Sequence, residues 1–325
     1  MATLQTIGST GLAGTAPTPV LQHAINRYLV NDDLMNIMEF VNIAVPSNLG
    51  NFQCSGVYYA GTTAATFRQL GVDYNPDNEA PQTWTEMLKF LGGAFESDVE
   101  IARAFGNNPG AVANWEEQQI SQKINTIKNG FAKYFIQGNK TTDAKQFDGL
   151  NTRIASGQVE ATPINVYELT PAKAIQVEVQ MNKVIGKIRP KRPNVILTTA
   201  NGQAILRALN AYRNRGVEAV EVNSRKYDAY MGIPIVVLDN CFPAADTADG
   251  KIPVVFGLID EFEGIRAAIP QDGQVLIILP PKFENGKAVE RGMCEMAVVP
   301  IWDNPYAVSK CYLTEEAPEA DGGEG

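Results

Sequence analysis

The sequence predicts an α+β fold with long extensions. Three features support this prediction: a strong helical pattern over residues 109–137, several β-rich segments after residue 232, and polar tracts at residues 8–18 and 73–81 that are poorly suited to a core. Helices and strands do not alternate regularly, as they would in a doubly wound parallel sheet. The chain has 325 residues, and at about 150 residues per domain this is enough for two domains.

Charge and composition narrow the class of function. The chain has 27 Lys and Arg against 36 Asp and Glu, so we do not expect the broad basic surface with which nucleic-acid-binding proteins neutralise phosphates. Much of the acidity lies in the last eleven residues, which hold five acids and no base. No apolar run approaches the length of a membrane-spanning helix, and the first residues do not resemble a secretory signal. We therefore expect neither membrane association nor secretion.

No constellation of catalytic or metal-binding residues is apparent in the sequence. His23 is the single histidine, and the four cysteines are far apart and form no C-x-x-C motif. Zinc sites and most hydrolase sites need such groups in combination. The Gly-rich residues 8–14 lack the spacing of a phosphate-binding loop. We therefore expect no enzyme, no catalytic residue, no cofactor and no metal ion, and we expect the cysteines to be buried and reduced.

The first 48 residues are interpreted as an N-terminal arm. Residues 8–18 are too poor in apolar side chains to order themselves. Residues 20–29 have helical spacing, and a further apolar piece at residues 34–45 stops at Pro46.

Residues 49–97 are interpreted as an extended hairpin. Residues 57–60, 62–67 and 83–88 are rich in strand-forming residues and flank a polar tract with turn residues. A two-stranded hairpin is only marginally stable alone in water. If this hairpin projects from the body, something outside the subunit has to support it.

The clearest helix is predicted over residues 109–137, between Asn108-Pro109 and Gly138. Its apolar face carries Ile120, Ile124, Ile127, Phe131, Tyr134 and Phe135. A second helix begins at Thr170-Pro171 and a third covers residues 201–214. The predicted strands are residues 193–198, 233–238, 254–258, 275–279, 294–301 and 306–313.

Four passages are more specific than this pattern. Residues 86–99 read as a strand leading to the long helix; residues 135–139 read Phe-Ile-Gln-Gly-Asn and precede Phe147-Asp148-Gly149-Leu150; residues 232–235 read Gly-Ile-Pro-Ile; and residues 297–300 read Ala-Val-Val-Pro ahead of Ala307-Val308. In this order they resemble the major capsid protein of tailed double-stranded DNA bacteriophages, which has the Hong Kong ninety-seven type fold. Asn139 stands where that family usually has Asp. The likeness covers almost the whole chain. Each passage alone is a weak signal, and the resemblance is specific because all four occur in the family's order.

The resemblance implies a division of the chain into segments. These are an N-terminal arm (1–48), an extended loop (49–97), a peripheral domain with the long helix (98–165), an axial domain (166–288), closing strands of the peripheral domain (289–316) and a flexible acidic tail (317–325). In the family the extended loop lies across a neighbouring subunit. The resemblance therefore implies contacts between subunits at Tyr58, Tyr59, Phe67, Arg68 and Trp84. It also implies structural motif residues at Phe147, Asp148, Gly149, Leu150, Gly232 and Pro234.

The resemblance also implies partners. Copies of the chain would form pentamers and hexamers in the head shell of a virion, assembled in the host cytoplasm around DNA that is enclosed without sequence-specific binding. Portal and head-decoration proteins would join them. Because residues 1–48 are shorter than the family's fused scaffolding region, we expect a separate scaffolding protein or earlier processing. Two alternatives stay open: a nanocompartment shell protein of the encapsulin type, which shares the fold, and, more distantly, an α+β enzyme.

Overall fold

A computed structural model of the chain describes residues 32–47, 50–58, 67–73, 82–98, 100, 109–213, 216, 218–273, 275–283, 289–302 and 304–315. The helices within these ranges are α1 (Asp33–Ile37), α2 (Pro109–Gln137), α3 (Leu150–Arg153), α4 (Pro171–Ile185), α5 (Ala200–Tyr212) and α6 (Ala244–Thr247), with a 3-10 helix at Ser156–Gln158. The strands are β1 (Phe40–Pro46), β2 (Phe52–Tyr58), β3 (Gln82–Met87), β4 (Lys89–Asp98), β5 (Ile164–Asn165), β6 (Val195–Thr198), β7 (Ala219–Val222), β8 (Arg225–Tyr230), β9 (Ile233–Val237), β10 (Lys251–Gly257), β11 (Ile265–Pro270), β12 (Leu276–Phe283), β13 (Val289–Trp302) and β14 (Val308–Thr314).

The strands form two sheets. The first has the order β12-β13-β11-β1-β2-β3, and β4 also pairs with β13. β13 holds this sheet together, because it pairs with β12 on one side and with β4 and then β11 on the other. The second sheet has the order β5-β14-β10-β6-β9-β8-β7. Buried apolar residues of both sheets belong to one hydrophobic cluster.

The long helix α2 covers the first sheet. It packs against β4 and β13 and begins at Pro109, as the sequence predicts. With 29 residues and about 1.5 Å of rise per residue, it is roughly 43 Å long. The predicted apolar face lies inward, with Ile124, Phe131 and Phe135 fully buried. The burial of this face, more than helix propensity, stabilises a helix of this kind.

Helices α4 and α5 pack on the second sheet. The Oγ1 atoms of Thr170 and Thr199 accept hydrogen bonds from the backbone N–H of Lys173 and Gly202, which caps the first turn of each helix. Both helices therefore begin within one residue of the predicted positions. Their inward residues are Ala174, Val177, Met181 and Val184 on α4, and Ile205, Leu206 and Leu209 on α5.

The structure describes only the C-terminal end of the predicted N-terminal arm. Residues 1–31 lie outside the described residues, but α1 and β1 are part of the body. Leu34, Met35 and Phe40 are almost completely buried, and β1 pairs in parallel with β11 and antiparallel with β2. Most of the segment from residue 32 to Pro46 is therefore part of the core, whereas Ile43 and Val45 on β1 are exposed.

The predicted closing strands, residues 289–316, contain β13 and β14. The sequence grouped residues 289–316 in one peripheral unit, but β13 and β14 lie in different sheets. β14 pairs with β10 along seven positions, from Lys251↔Thr314 to Gly257↔Val308, and Cys311 and Leu313 are fully buried there. The chain thus returns from the first sheet to complete the second. The predicted acidic tail, residues 317–325, lies outside the described residues.

Candidate functional site

Strands β2 and β3 form the predicted hairpin. They pair antiparallel at six positions, from Gln53↔Met87 to Tyr58↔Gln82. Only the base of β2 pairs with the body, through Val45↔Gln53 and Pro46↔Phe52. β3 is the last strand of the first sheet, so the hairpin is its outermost part.

The two faces of the hairpin differ in burial. On the inner face Cys54 is buried, and the indole ring of Trp84 lies so close to Gly56 that a Cβ there would be 2.5 Å from a ring carbon. The outer face is exposed and carries the side chains of Ser55, Val57, Thr83, Thr85 and Met87. Neighbouring Ile43 and Val45 on β1 are also exposed and extend this outer face. One side of the hairpin is therefore an uncovered, partly apolar surface.

The tip segment, residues 67–73, is exposed and contains three apolar side chains. Phe67 and Leu70 reach 106% and 100% relative exposure, and Val72 reaches 55%. A tight turn orders the segment, because the N–H of Val72 donates to the carbonyl of Gln69 at 3.2 Å and Gly71 has φ +86°. The guanidinium of Arg68 donates to the Val72 carbonyl at 3.3 Å. Burying a Phe or Leu side chain is worth about 1.5–3 kcal/mol, so covering this tip with an apolar surface would be favourable.

A tight backbone crossing lies near the base of the hairpin, where α2 ends. The N–H of Gly149 donates to the carbonyl of Gly138 at 2.8 Å. A Cβ on Gly138 would lie 2.3 Å from the Phe147 carbonyl oxygen, and one on Gly149 would lie 2.5 Å from that of Tyr134. These two positions accept only glycine, because the obstructing atoms are backbone. Phe147 and Leu150 are buried on either side and fix the crossing to the core.

Charged side chains connect this crossing to the hairpin. Asp148 accepts from the backbone N–H of Lys140 at 2.9 Å and forms an ion pair with its ammonium at 3.0 Å. The same ammonium lies 3.4 Å from Glu86 on β3, and Arg153 on α3 pairs with Glu86 at 2.6 Å. The Arg153 guanidinium also stacks 4.8 Å from the Trp302 ring centroid. We call Glu86, Lys140, Asp148 and Arg153 the hairpin anchor.

The anchor shifts the pKa values of Asp148 and Lys140. Burial acts to raise the pKa of Asp148, but the backbone N–H and ammonium of Lys140, with the charge of Arg153, together hold that pKa below its ordinary value. The hydrogen bond to Asp148 raises the pKa of Lys140. Both groups are therefore charged across the physiological range.

Replacing Asp148 with Asn should weaken the acid dependence of stability. Because the folded-state pKa lies below the unfolded value, ionised Asp148 stabilises the fold above pH about 4, and this stabilisation is lost as the pH falls through the lower folded-state pKa. The variant should lose about 1 kcal/mol of unfolding free energy at pH 7 and approach the wild type at acid pH. Urea denaturation of the variant and the wild type, at pH 7 and at acid pH, measures these free energies of unfolding. Asp249→Asn is the control, since the Asp249 side chain is 81% exposed; equal pH profiles for the two variants would contradict the prediction.

Comparison with known proteins identifies the fold. No protein-family model and no curated protein matches the chain. Solved structures do: the SrpI encapsulin of Synechococcus elongatus PCC 7942 has 13% identity and a TM-score of 0.58, covering 90% of this chain and 91% of that one. The capsid of a native GTA particle has 13% identity, a TM-score of 0.56 and coverages of 86% and 89%. The capsid of Myoviridae phage XM1 has 12% identity, a TM-score of 0.55 and coverages of 88% and 92%.

The chain has the Hong Kong ninety-seven type fold. The predictions of an α+β class, a long helix and an extended hairpin are thereby confirmed. The likeness spans nearly the full length of each of these three structures, so both sheets belong to it.

Within the Hong Kong ninety-seven type fold, the predicted contact residues do not form one cluster. Phe67 and Arg68 lie at the exposed tip. Trp84 is partly buried on the inner face of the hairpin and packs against the core. Tyr58 is the last residue of β2, and Tyr59 lies outside the described residues. Contact between subunits at these five positions stays a prediction.

The motif residues Gly232 and Pro234 lie at a second turn of the Hong Kong ninety-seven type fold. Met231 and Gly232 both have positive φ and join β8 to β9 in a two-residue hairpin turn. Pro234 faces Ala229 next to the closing pair Tyr230↔Ile233. That is a non-hydrogen-bonded position of an antiparallel pair. Proline has no N–H, but at this position no hydrogen bond between β8 and β9 is lost.

Thiol and metal chemistry are not indicated in the described part of this Hong Kong ninety-seven type fold. There, no group of three or more His, Cys, Asp or Glu side chains could hold a metal ion. The four cysteines are buried thiols, and burial raises the pKa of Cys241 and Cys294 to about 11 and that of Cys311 to about 12. Their thiolate forms are disfavoured, so they are poor nucleophiles. Within the described ranges, every helix is too short or too polar to cross a lipid bilayer.

Proposed function

We propose that this chain is the major capsid subunit of a tailed phage, a non-enzymatic protein that assembles into an icosahedral shell around double-stranded DNA. The observation that carries the proposal is the hairpin, whose outer face and whose tip side chains Phe67 and Leu70 are exposed. The fold supports it, since two of the similar solved structures are the capsid of a GTA particle and the capsid of Myoviridae phage XM1.

A second copy of the chain is the natural partner of the hairpin. A two-stranded ribbon is marginal alone in water, and the anchor fixes only its base, through Glu86. If each tip binds a different surface on the next copy, the contact is heterologous, and repeated heterologous contacts form rings where the rotation between copies closes. Pentamers and hexamers are the rings that this proposal expects. Phe67, Arg68 and the outer face would supply the contact, with Tyr58, Tyr59 and Trp84 along the ribbon.

The net negative charge of the chain is consistent with a shell that encloses DNA without binding it tightly. A net charge of −9 gives little affinity for phosphates, but a shell encloses DNA without holding it at specific sites. The proposal places the protein in the virion head after assembly in the host cytoplasm. It implies a separate scaffolding protein, a portal protein and head-decoration proteins as partners.

Electron microscopy of the purified protein tests this proposal. We expect closed shells, or ring-shaped pentamers and hexamers, either from the protein alone or with its scaffolding protein. A protein that stays monomeric or dimeric at high concentration, with and without scaffold, would overturn the proposal.

A nanocompartment shell is the second candidate. The similarity to the SrpI encapsulin, at a TM-score of 0.58, favours it. The contents of particles isolated from the native source separate the two functions. Packaged double-stranded DNA supports the capsid, whereas an enclosed enzyme without DNA supports the nanocompartment.

A further inference from the structure

Four polar side chains meet in the interior between α3, α6 and β14. The Nζ of Lys310 donates to Oδ1 of Asn151 at 2.8 Å and lies 2.6 Å from Oδ2 of Asp246. The Nδ2 of Asn151 donates to the same Oδ2 at 2.8 Å. The hydroxyl of Tyr312 donates to Oδ1 of Asp246 at 2.8 Å. The side chains of Lys310 and Asp246 are only 5% and 10% exposed.

This arrangement places an amine beside an amide carbon. The C=O bond is about 1.23 Å long, so Cγ of Asn151 lies at most about 4 Å from the Lys310 nitrogen. The cluster is fixed on three elements of the core, and such fixed proximity is what accelerates a reaction between two weakly reactive groups.

Two features make the amine and the amide reactive. Burial lowers the pKa of Lys310 although Asp246 opposes this shift. The ammonium therefore loses a proton more readily than in water, which gives the neutral, nucleophilic amine. One oxygen of Asp246 contacts both the attacking nitrogen and the nitrogen that would leave. This carboxylate can therefore take a proton from the first and give one to the second. Tyr312 orients the carboxylate through its other oxygen.

We propose that Lys310 and Asn151 form an intramolecular isopeptide bond. Asp246 accepts a proton from the Lys310 ammonium, and the neutral amine attacks Cγ of Asn151. The new Nζ–Cγ bond forms and the Cγ–Nδ2 bond breaks. Through Asp246 the leaving nitrogen receives the proton first taken from the ammonium and a second one from the attacking nitrogen, so it departs as an ammonium ion and Asp246 is again a carboxylate. The products are a secondary amide and one ammonium ion, and the neutral protein is lighter by one ammonia. No oxidant, reductant or other co-reactant is needed.

The bond would connect parts of the chain that are 159 positions apart. Asn151 follows the backbone crossing at the end of α2, and Lys310 lies in the second sheet. A covalent connection of this length restricts the unfolded chain, as a disulfide does. It forms within one subunit, so this inference does not depend on shell assembly.

Intact-mass spectrometry of the full-length, denatured protein tests the proposal. The wild type should be lighter than its sequence mass by one ammonia, and Lys310→Arg should show its full sequence mass. Trypsin should release a branched peptide joining residues 146–153 to residues 292–325, because modified Lys310 resists cleavage and no Lys or Arg follows it. Wild-type protein at its full mass would overturn the proposal. So would ammonia loss with an unbranched 146–153 peptide, which indicates a succinimide at Asn151.

Discussion

Gly149→Ala is expected to destabilise the subunit by about 3 kcal/mol. The added Cβ would lie 2.5 Å from the carbonyl oxygen of Tyr134, 2.7 Å from the backbone nitrogen of Gly138 and 2.8 Å from the carbonyl oxygen of Phe135. All three atoms belong to the end of α2 or the residue after it, so no side-chain rotation relieves the clash. Gly149 has φ −85°, which alanine adopts freely, so the effect is steric and not conformational.

Gly157→Ala is the matched control for this prediction. Gly157 lies eight positions further along the chain, and a Cβ there would meet nothing within 4 Å. Alanine should be neutral or slightly stabilising at that position, because it restricts the unfolded chain. Chemical denaturation of both variants gives the two free energies of unfolding. Equal stabilities would show that the crossing can separate to admit a methyl group.

The double variant Phe67→Ser, Leu70→Ser is expected to abolish assembly and leave the subunit folded. Both side chains are fully exposed in the single subunit, so its stability should change by less than about 0.5 kcal/mol. In an assembled shell their burial on a neighbour would be worth about 4 kcal/mol per tip, and losing it weakens each contact about a thousandfold. Circular dichroism melting reports on the fold, and sedimentation with electron microscopy reports on assembly.

Gln69→Ser is the control for the tip. Gln69 lies between the two altered residues and supports the turn through its backbone carbonyl, which the substitution preserves. This variant should assemble like the wild type. If the double variant also forms shells at wild-type concentrations, the tip is not a contact between subunits.

The helices could be predicted from the sequence because their signals are local. The spacing of Ile120, Ile124 and Phe131 specifies the buried face of α2, and Thr170 followed by Pro171 specifies the start of α4. A local pattern shows that a segment is apolar, but it does not show which part of the protein packs against that segment. For this reason α1 and β1 were assigned to an arm, although β1 pairs with β11, more than two hundred residues later in the chain.

In the candidate sites, too, the features that are local in sequence could be predicted and those that depend on distant residues could not. Phe67 and the Phe147-to-Leu150 passage could be selected from the sequence, because each lies in a contiguous stretch with a resemblance to the family. The partners of Glu86 could not, because Lys140 and Arg153 lie more than fifty positions away and surface charges are normally solvated. The pairing of Lys310 with Asn151 could not be predicted either, because both are common residue types and their role depends on side chains that are distant in sequence.

The continuity of β3 and β4 has a mechanical consequence. β3 ends at Met87 and β4 begins at Lys89, so the returning strand of the hairpin runs almost directly into the body. β4 then pairs with β13 at ten successive positions. Tension applied at the tip would run along the axis of β4 and load these pairs together in shear, instead of peeling them apart one after another. A hairpin rooted in this way can bear a pulling force without unravelling the sheet from which it extends.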